Sequence, residues 1–140
     1  MIKVEHIAKK YGKVEALQDI SFEVEAGEIY GIIGPDGAGK TTLFRILTTL
    51  ILADKGNACL NGWDVRKDYR LIRNNIGYMP GRFSLYQDLS VEENLQFFAS
   101  IFKTRIKTNY HLIKDIYQQL APFKKRRAGA LSGGMKQKLA

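Results

Sequence analysis

The run Gly34-Pro35-Asp36-Gly37-Ala38-Gly39-Lys40-Thr41 constrains this chain more than any other segment. Three glycines within six residues let the main chain curl tightly without side chains filling the curl. Ahead of it, Ile29-Tyr30-Gly31-Ile32-Ile33 is apolar almost throughout. A short apolar run between turns predicts a strand buried on both faces of a parallel sheet. Behind it, Leu43, Ile46, Leu47, Leu50 and Ile51 recur at helical spacing and predict one apolar helix face. Strand, glycine loop and helix in that order bring backbone N–H groups and a positive helix end to one point. The pattern is G-x-x-x-x-G-K-[ST], and the ligand such a point suits is a polyphosphate. Lys40 is expected to reach the β- and γ-phosphates, and the Thr41 hydroxyl to ligate Mg²⁺. Pro35, Asp36, Ala38 and Thr42 complete the expected cradle.

The flanking segments read more simply. Ile20, Phe22 and Val24 alternate with polar neighbours and, with Ile2-Lys3-Val4, predict an antiparallel β layer. Asn61-Gly62 is a hairpin-type turn. Ile76-Gly77-Tyr78-Met79, ended by Pro80-Gly81, predicts another short strand. Ser90 stands three residues before Glu93 in a capping-box pattern, and Val91, Leu95, Phe98 and Phe102 follow at helical spacing. Leu112, Ile113, Ile116, Tyr117 and Leu120 mark a second helix, closed by Pro122. A third begins at Ser132, with Met135 and Leu139 on one face.

Leu131-Ser132-Gly133-Gly134-Met135 carries a second signal. Ser132 can cap the helix while Gly133 and Gly134 leave its first N–H groups bare, which makes either a second anion site or a plain helix cap. The five residues resemble the L-S-G-G-Q signature of ABC ATPases, with Met in place of Gln, and they follow Lys40 by 92 residues and two helices. Lys10-Tyr11-Gly12 looks like that family's aromatic loop, which makes Tyr11 the ring expected to stack on adenine. Ala26-Gly27-Glu28-Ile29 and Asp88-Leu89-Ser90-Val91-Glu92-Glu93-Asn94-Leu95 are similar to the family as well, so the resemblance covers residues 1 to 140. Asp36 stands where family members often have Asn and is expected to point outward.

The resemblance implies an α/β P-loop NTPase fold of the ABC type. Its parts would be an antiparallel β layer, an incomplete parallel core sheet and an inserted helical subdomain. Residues 1–80 would form the β layer and P-loop core, residues 81–131 the Q-loop region and helical subdomain, and residues 132–140 the start of the signature helix. It also implies ATP and Mg²⁺ as ligands and a head-to-tail dimer with a second ABC domain. In that dimer Leu131 to Met135 would grip the γ-phosphate held by the opposing P-loop. A membrane-spanning subunit would be the other partner, with export as the outcome, since the wording of residues 76–102 resembles exporter subunits. The chain would then sit in the cytoplasm, peripheral on the inner face of the membrane through that partner. Two alternatives stand beside this: a soluble ABC ATPase acting on the ribosome or nucleic acid, and a non-catalytic ATP-binding remnant.

Two departures from the family pattern qualify the expectation. The Q-loop glutamine would follow Tyr78-Met79-Pro80, where this chain has Gly81; Gln87 lies in a segment that matches a different part of the pattern. No Asp-Glu pair or switch histidine follows the signature, and His6 and His111 match neither. The chain is therefore expected to bind ATP without turning it over alone. Met135 and Leu139 are expected to lack cover, and stability in isolation to be marginal. Net charge is +8, with ten basic residues and one acid, Asp115, in residues 101–140. The run Lys124-Lys125-Arg126-Arg127 is read as a solvated face, so no direct nucleic-acid contact is expected. The single cysteine, Cys59, excludes an intramolecular disulfide.

Overall fold

Alternating side chains near the N-terminus build a sheet. In the computed structural model, which describes residues 1–81 and 84–140, strand β1 (Ile2–Tyr11) pairs antiparallel with both β2 (Val14–Val24) and β3 (Lys55–Leu60). A two-residue strand β4 (Trp63–Asp64) pairs with β3, so the sheet order is β2-β1-β3-β4. The expected antiparallel layer is present. Asn61 and Gly62 connect Leu60 to its partner Trp63 with φ of 50° and 84°, the pair of left-handed residues that a tight hairpin turn requires.

One face of this sheet buries Val4, Ile7, Leu17, Ala58 and Leu60. Helix α1 (Lys40–Leu47) lays Leu43, Ile46 and Leu47 into the same core, and helix α2 (Tyr69–Asn75) adds Ile72. Each large aliphatic side chain buried here contributes about 1.5–3 kcal/mol, which fixes α1 against the sheet. The apolar pattern had extended α1 to Ile51, but the helix stops at Leu47. Thr49 turns left-handed, with φ 62°, and the Arg73 guanidinium holds its hydroxyl at 2.7 Å and its carbonyl at 2.6 Å.

Two expected strands do not form. Residues 29–33 and 76–79 belong to no strand, and every strand pairing among the described residues is antiparallel. Ile29 is 99% exposed and Ile33 97%, although Ile32 packs against the core. A strand is defined by its partner, and a parallel partner must arrive through a long crossover. No described strand pairs with either segment, so apolar composition alone does not make them strands.

The backbone divides into two compact units, Met1–Tyr78 and Met79–Ala140. The second is helical. Residues 82 and 83 of the expected 81–131 segment lie outside the described residues. Helix α3 (Val91–Ile101) starts with the expected capping box: Ser90 Oγ accepts the Glu93 N–H at 3.2 Å, and Glu93 Oε2 accepts the Ser90 N–H at 2.7 Å. Helix α4 (Ile106–Leu120) ends before Pro122, and helix α5 (Gly133–Leu139) follows Ser132. Leu85, Val91, Leu120, Ala128, Leu131 and Leu139 form its core. Met135 and Leu139 therefore do not lack cover. Leu139 is buried and Met135 packs on the same cluster, because α4 lies against α5 and supplies Leu120.

Candidate functional site

The glycine loop is held from below by the sheet. Gly39 has φ 83° and serves as the N-cap of α1. A Cβ placed there would stand 2.1 Å from the Ala16 carbonyl oxygen and 2.7 Å from Leu17 Cδ2, so the loop backbone lies directly on β2. Only glycine combines that dihedral with that approach. Gly37 is left-handed as well, at φ 82°, and the Ala38 N–H donates to the Pro35 carbonyl at 3.3 Å. This bond and the two left-handed glycines turn residues 34–39 into a curl whose outer surface is open: Gly34, Pro35, Asp36, Gly37 and Ala38 are all exposed. The expectation that Asp36 faces outward agrees with that exposure.

The start of α1 completes the cradle. Its first acceptor bond runs from the Leu43 N–H to the Gly39 carbonyl at 2.9 Å. The N–H groups of Lys40, Thr41 and Thr42 have no hydrogen-bond partner among the described residues, and no acidic side chain occupies the first turn. Lys40 Nζ donates to the carbonyls of Gly34 at 2.6 Å and Pro35 at 2.7 Å, which places its ammonium over the mouth of the curl. Thr41 is exposed, and its hydroxyl has no hydrogen-bond partner among the described residues. Beside the loop a cleft of about 350 Å³ opens between β2 and residues 30–33, where the Phe22 and Tyr30 rings stack at 5.2 Å.

Tyr11 closes β1 and faces Val14 across a two-residue turn through Gly12. Its ring is half exposed, and Lys9 Nζ lies 5.7 Å from the ring centroid. The exposed part of the ring is open to solvent beside the strand end.

In the second unit, Ser132 Oγ accepts the Met135 N–H at 3.3 Å and caps α5, as the sequence led us to expect. Leu131 is buried and anchors the turn. A Cβ at Gly133 or Gly134 would meet nothing within 4 Å, so neither glycine is required by packing. Gly81 is also open, with no side chain to offer. Gln87 Nε2 donates to the Leu85 carbonyl at 3.3 Å, an internal contact. His6 Nδ1 lies 2.6 Å from Asp19 Oδ1 on the sheet, and His111 is exposed on α4.

This arrangement has close counterparts. Residues 17–140 match the model of the family described as "ABC transporter". The chain is 43% identical over 128 residues to the probable multidrug ABC transporter ATP-binding protein YbhF of Escherichia coli, covering 89% of this chain and 22% of that protein. It is 35% identical to the doxorubicin resistance ATP-binding protein DrrA of Mycobacterium tuberculosis, covering 99% of this chain and 43% of that one. It is 33% identical to the sulfate/thiosulfate import ATP-binding protein CysA of Gloeobacter violaceus, covering 99% and 41%. The chain thus spans less than half the length of these three curated relatives. Among solved structures, the ATP-binding subunit of an ABC transporter superposes with a TM-score of 0.81 at 26% identity, covering 99% of this chain and 58% of that one. A dimeric bacterial ABC transporter cassette gives 0.80 at 25% identity, covering 99% and 66%. The names of these relatives speak of transport or drug resistance, so the ribosome or nucleic-acid alternative is not favoured. With a cradled glycine loop at one helix start, a serine-capped Leu-Ser-Gly-Gly turn at another, and a family model matched from residue 17 onward, this chain belongs to the ABC transporter ATP-binding family.

Proposed function

We propose that residues 1–140 are the nucleotide-binding portion of an ABC transporter ATPase, and that the whole protein couples ATP binding and hydrolysis to export through a membrane-spanning partner. The observation that carries this is the cradle at the start of α1. Three N–H groups without a partner among the described residues, a first helical turn without acidic side chains and the Lys40 ammonium converge where the loop backbone rests on β2. A triphosphate would accept from those N–H groups, and Lys40 would exchange the Gly34 and Pro35 carbonyls for the β- and γ-phosphates. Tyr11 would stack on the adenine, with Gly34 to Thr42 around the phosphates.

Mg²⁺ fits the donor set. Thr41 places an exposed hydroxyl in the first helical turn, and hard oxygen donors of this kind suit that ion. Bound there, the ion supplies charge neutralisation of the phosphates. The residues of this chain do the positioning: the loop N–H groups orient the phosphates and Lys40 balances their charge. Leu131, Ser132, Gly133, Gly134 and Met135 would meet nucleotide held by a second ABC domain, with Ser132 and the bare α5 N–H groups as donors. The match to drug-resistance proteins supports export, and the likeness to a dimeric cassette supports a pair of such domains. No helix among the described residues is long and apolar enough to cross a membrane. Attachment to the inner face would run through the membrane-spanning partner.

Calorimetry with Mg-ATP tests the reading. Binding heat that disappears in Lys40→Ala, with the fold retained, is expected; no heat, or the same heat in both proteins, would overturn it.

A further inference from the structure

Asn94 is a polar side chain with no exposure at all, set in α3 between Val91 and Phe98. Its amide is fully used. Oδ1 accepts the Tyr86 N–H at 2.9 Å, and Nδ2 donates toward the carbonyls of Ser90 at 2.9 Å, Tyr86 at 3.0 Å and Leu89 at 3.2 Å. The side chain therefore grips the main chain of residues 86–90 from below and fixes both ends of that segment.

The same segment serves as a template on its other side. The Leu89 carbonyl accepts the Ala128 N–H at 2.8 Å, and the Gln87 carbonyl accepts the Gly129 N–H at 2.8 Å. Ser90 forms an antiparallel bridge with Arg127. The approach at Gly129 is tight, since a Cβ there would stand 3.1 Å from the Gln87 oxygen. Two residues later Leu131 enters the core and Ser132 caps α5. A continuous set of bonds thus runs from Asn94 through residues 86–90 to residues 127–129, and so to the Leu-Ser-Gly-Gly turn.

We infer that Asn94 is a positioning residue for the signature: it sets where Ser132 and the bare N–H groups of α5 stand, without touching nucleotide. This rests on the proposed role of the signature in gripping nucleotide held by a second domain. A buried amide removed without replacement leaves the Tyr86 N–H without its acceptor and takes one donor from each carbonyl it served, so the template loosens rather than merely losing packing.

The test compares Asn94→Leu, which keeps the branched shape of the side chain and removes every bond it makes, with Leu120→Ala, which weakens the same core while removing none of the template's hydrogen bonds. Hydrogen exchange is read at the Ala128 and Gly129 amides, self-association with Mg-ATP by light scattering, and nucleotide affinity by calorimetry. In Asn94→Leu the two amides are expected to exchange at least about tenfold faster and ATP-dependent pairing to weaken about tenfold, with nucleotide affinity unchanged. Leu120→Ala is expected to lower the melting temperature and leave both readouts near those of the parent. The inference is overturned if the amides stay protected in Asn94→Leu, if pairing is unaffected, or if Leu120→Ala reproduces both effects. A parent chain that binds Mg-ATP but never pairs would instead refute the signature reading, and the exchange data would then judge the tether by itself.

Discussion

Replacing Gly39 by alanine puts the proposed cradle under direct load. The new Cβ must share space with the Ala16 carbonyl oxygen at 2.1 Å, and Ala16 sits in β2, whose pairing with β1 leaves it little room to retreat. The φ of 83° adds about 1–2 kcal/mol for a non-glycine residue. Overpacking against a fixed backbone adds about 1–3 kcal/mol. A loss of about 2–5 kcal/mol is a large share of the roughly 5–15 kcal/mol that holds a domain together. If the loop lifts from β2 instead, the N–H groups of Lys40 to Thr42 lose their aim. Forfeiting two charge-assisted hydrogen bonds weakens nucleotide binding by about a hundredfold or more. The single tryptophan, Trp63, packs on the first core, so urea unfolding followed by its fluorescence reports the affected unit, and calorimetry reports the nucleotide. An unchanged midpoint together with unchanged affinity would show that the loop does not rest on β2.

Gly134→Ala should behave oppositely. Its Cβ meets nothing, so α5 gains up to about 1 kcal/mol of helix propensity, visible in thermal unfolding, while ATP-dependent pairing declines; a fall in stability would contradict the open geometry. Ser90→Ala removes the α3 cap and should destabilise the second unit by about 1 kcal/mol at neutral pH, read by circular dichroism. Acid titration separates its parts. The Ser90 hydroxyl and N–H hold the Glu93 carboxyl below its ordinary value, and hydrogen bonds from Lys9 and the Lys10 N–H do the same for Asp54. Both contributions are fully present above the ordinary carboxylate pKa of about 4 and fade as pH falls through the lowered folded values, so Ser90→Ala should flatten only the Glu93 share. Ile29→Glu and Ile33→Lys should reduce self-association in light scattering while shifting the Trp63 transition by no more than about 0.5 kcal/mol, since both side chains stand almost wholly in solvent.

What could be read in the sequence was local. The capping box of Ser90 and Glu93, the Ser132 cap and the Asn61-Gly62 turn each depend on a few consecutive residues, and each forms. The helix face from Leu43 to Ile51 misled at its end because Arg73 pulls Thr49 out of the helix from 24 residues away. Residues 29–33 misled for the same kind of reason: composition sets a preference for burial, but pairing is decided by a distant neighbour. Asn94 left a trace that composition alone could not interpret. It occupies an apolar-face position, three residues after Val91 and four before Phe98, and a polar residue there is a sign of a buried hydrogen-bonding task.

The glycines separate what this chain needs for itself from what it offers to others. Gly39 is demanded from within, because β2 leaves no room for a side chain. Gly133 and Gly134 face open space, where two alanines would fit and would favour the helix by about 1 kcal/mol each. Among the described residues, no packing contact at either glycine compensates that loss. On the proposed reading the compensation comes from a ligand that needs the bare N–H groups behind Ser132, one close enough to exclude a methyl group. A phosphate on a second domain has that size and charge. The tether from Asn94 then acquires its purpose, since donors that must meet an outside ligand have to be held in place before it arrives.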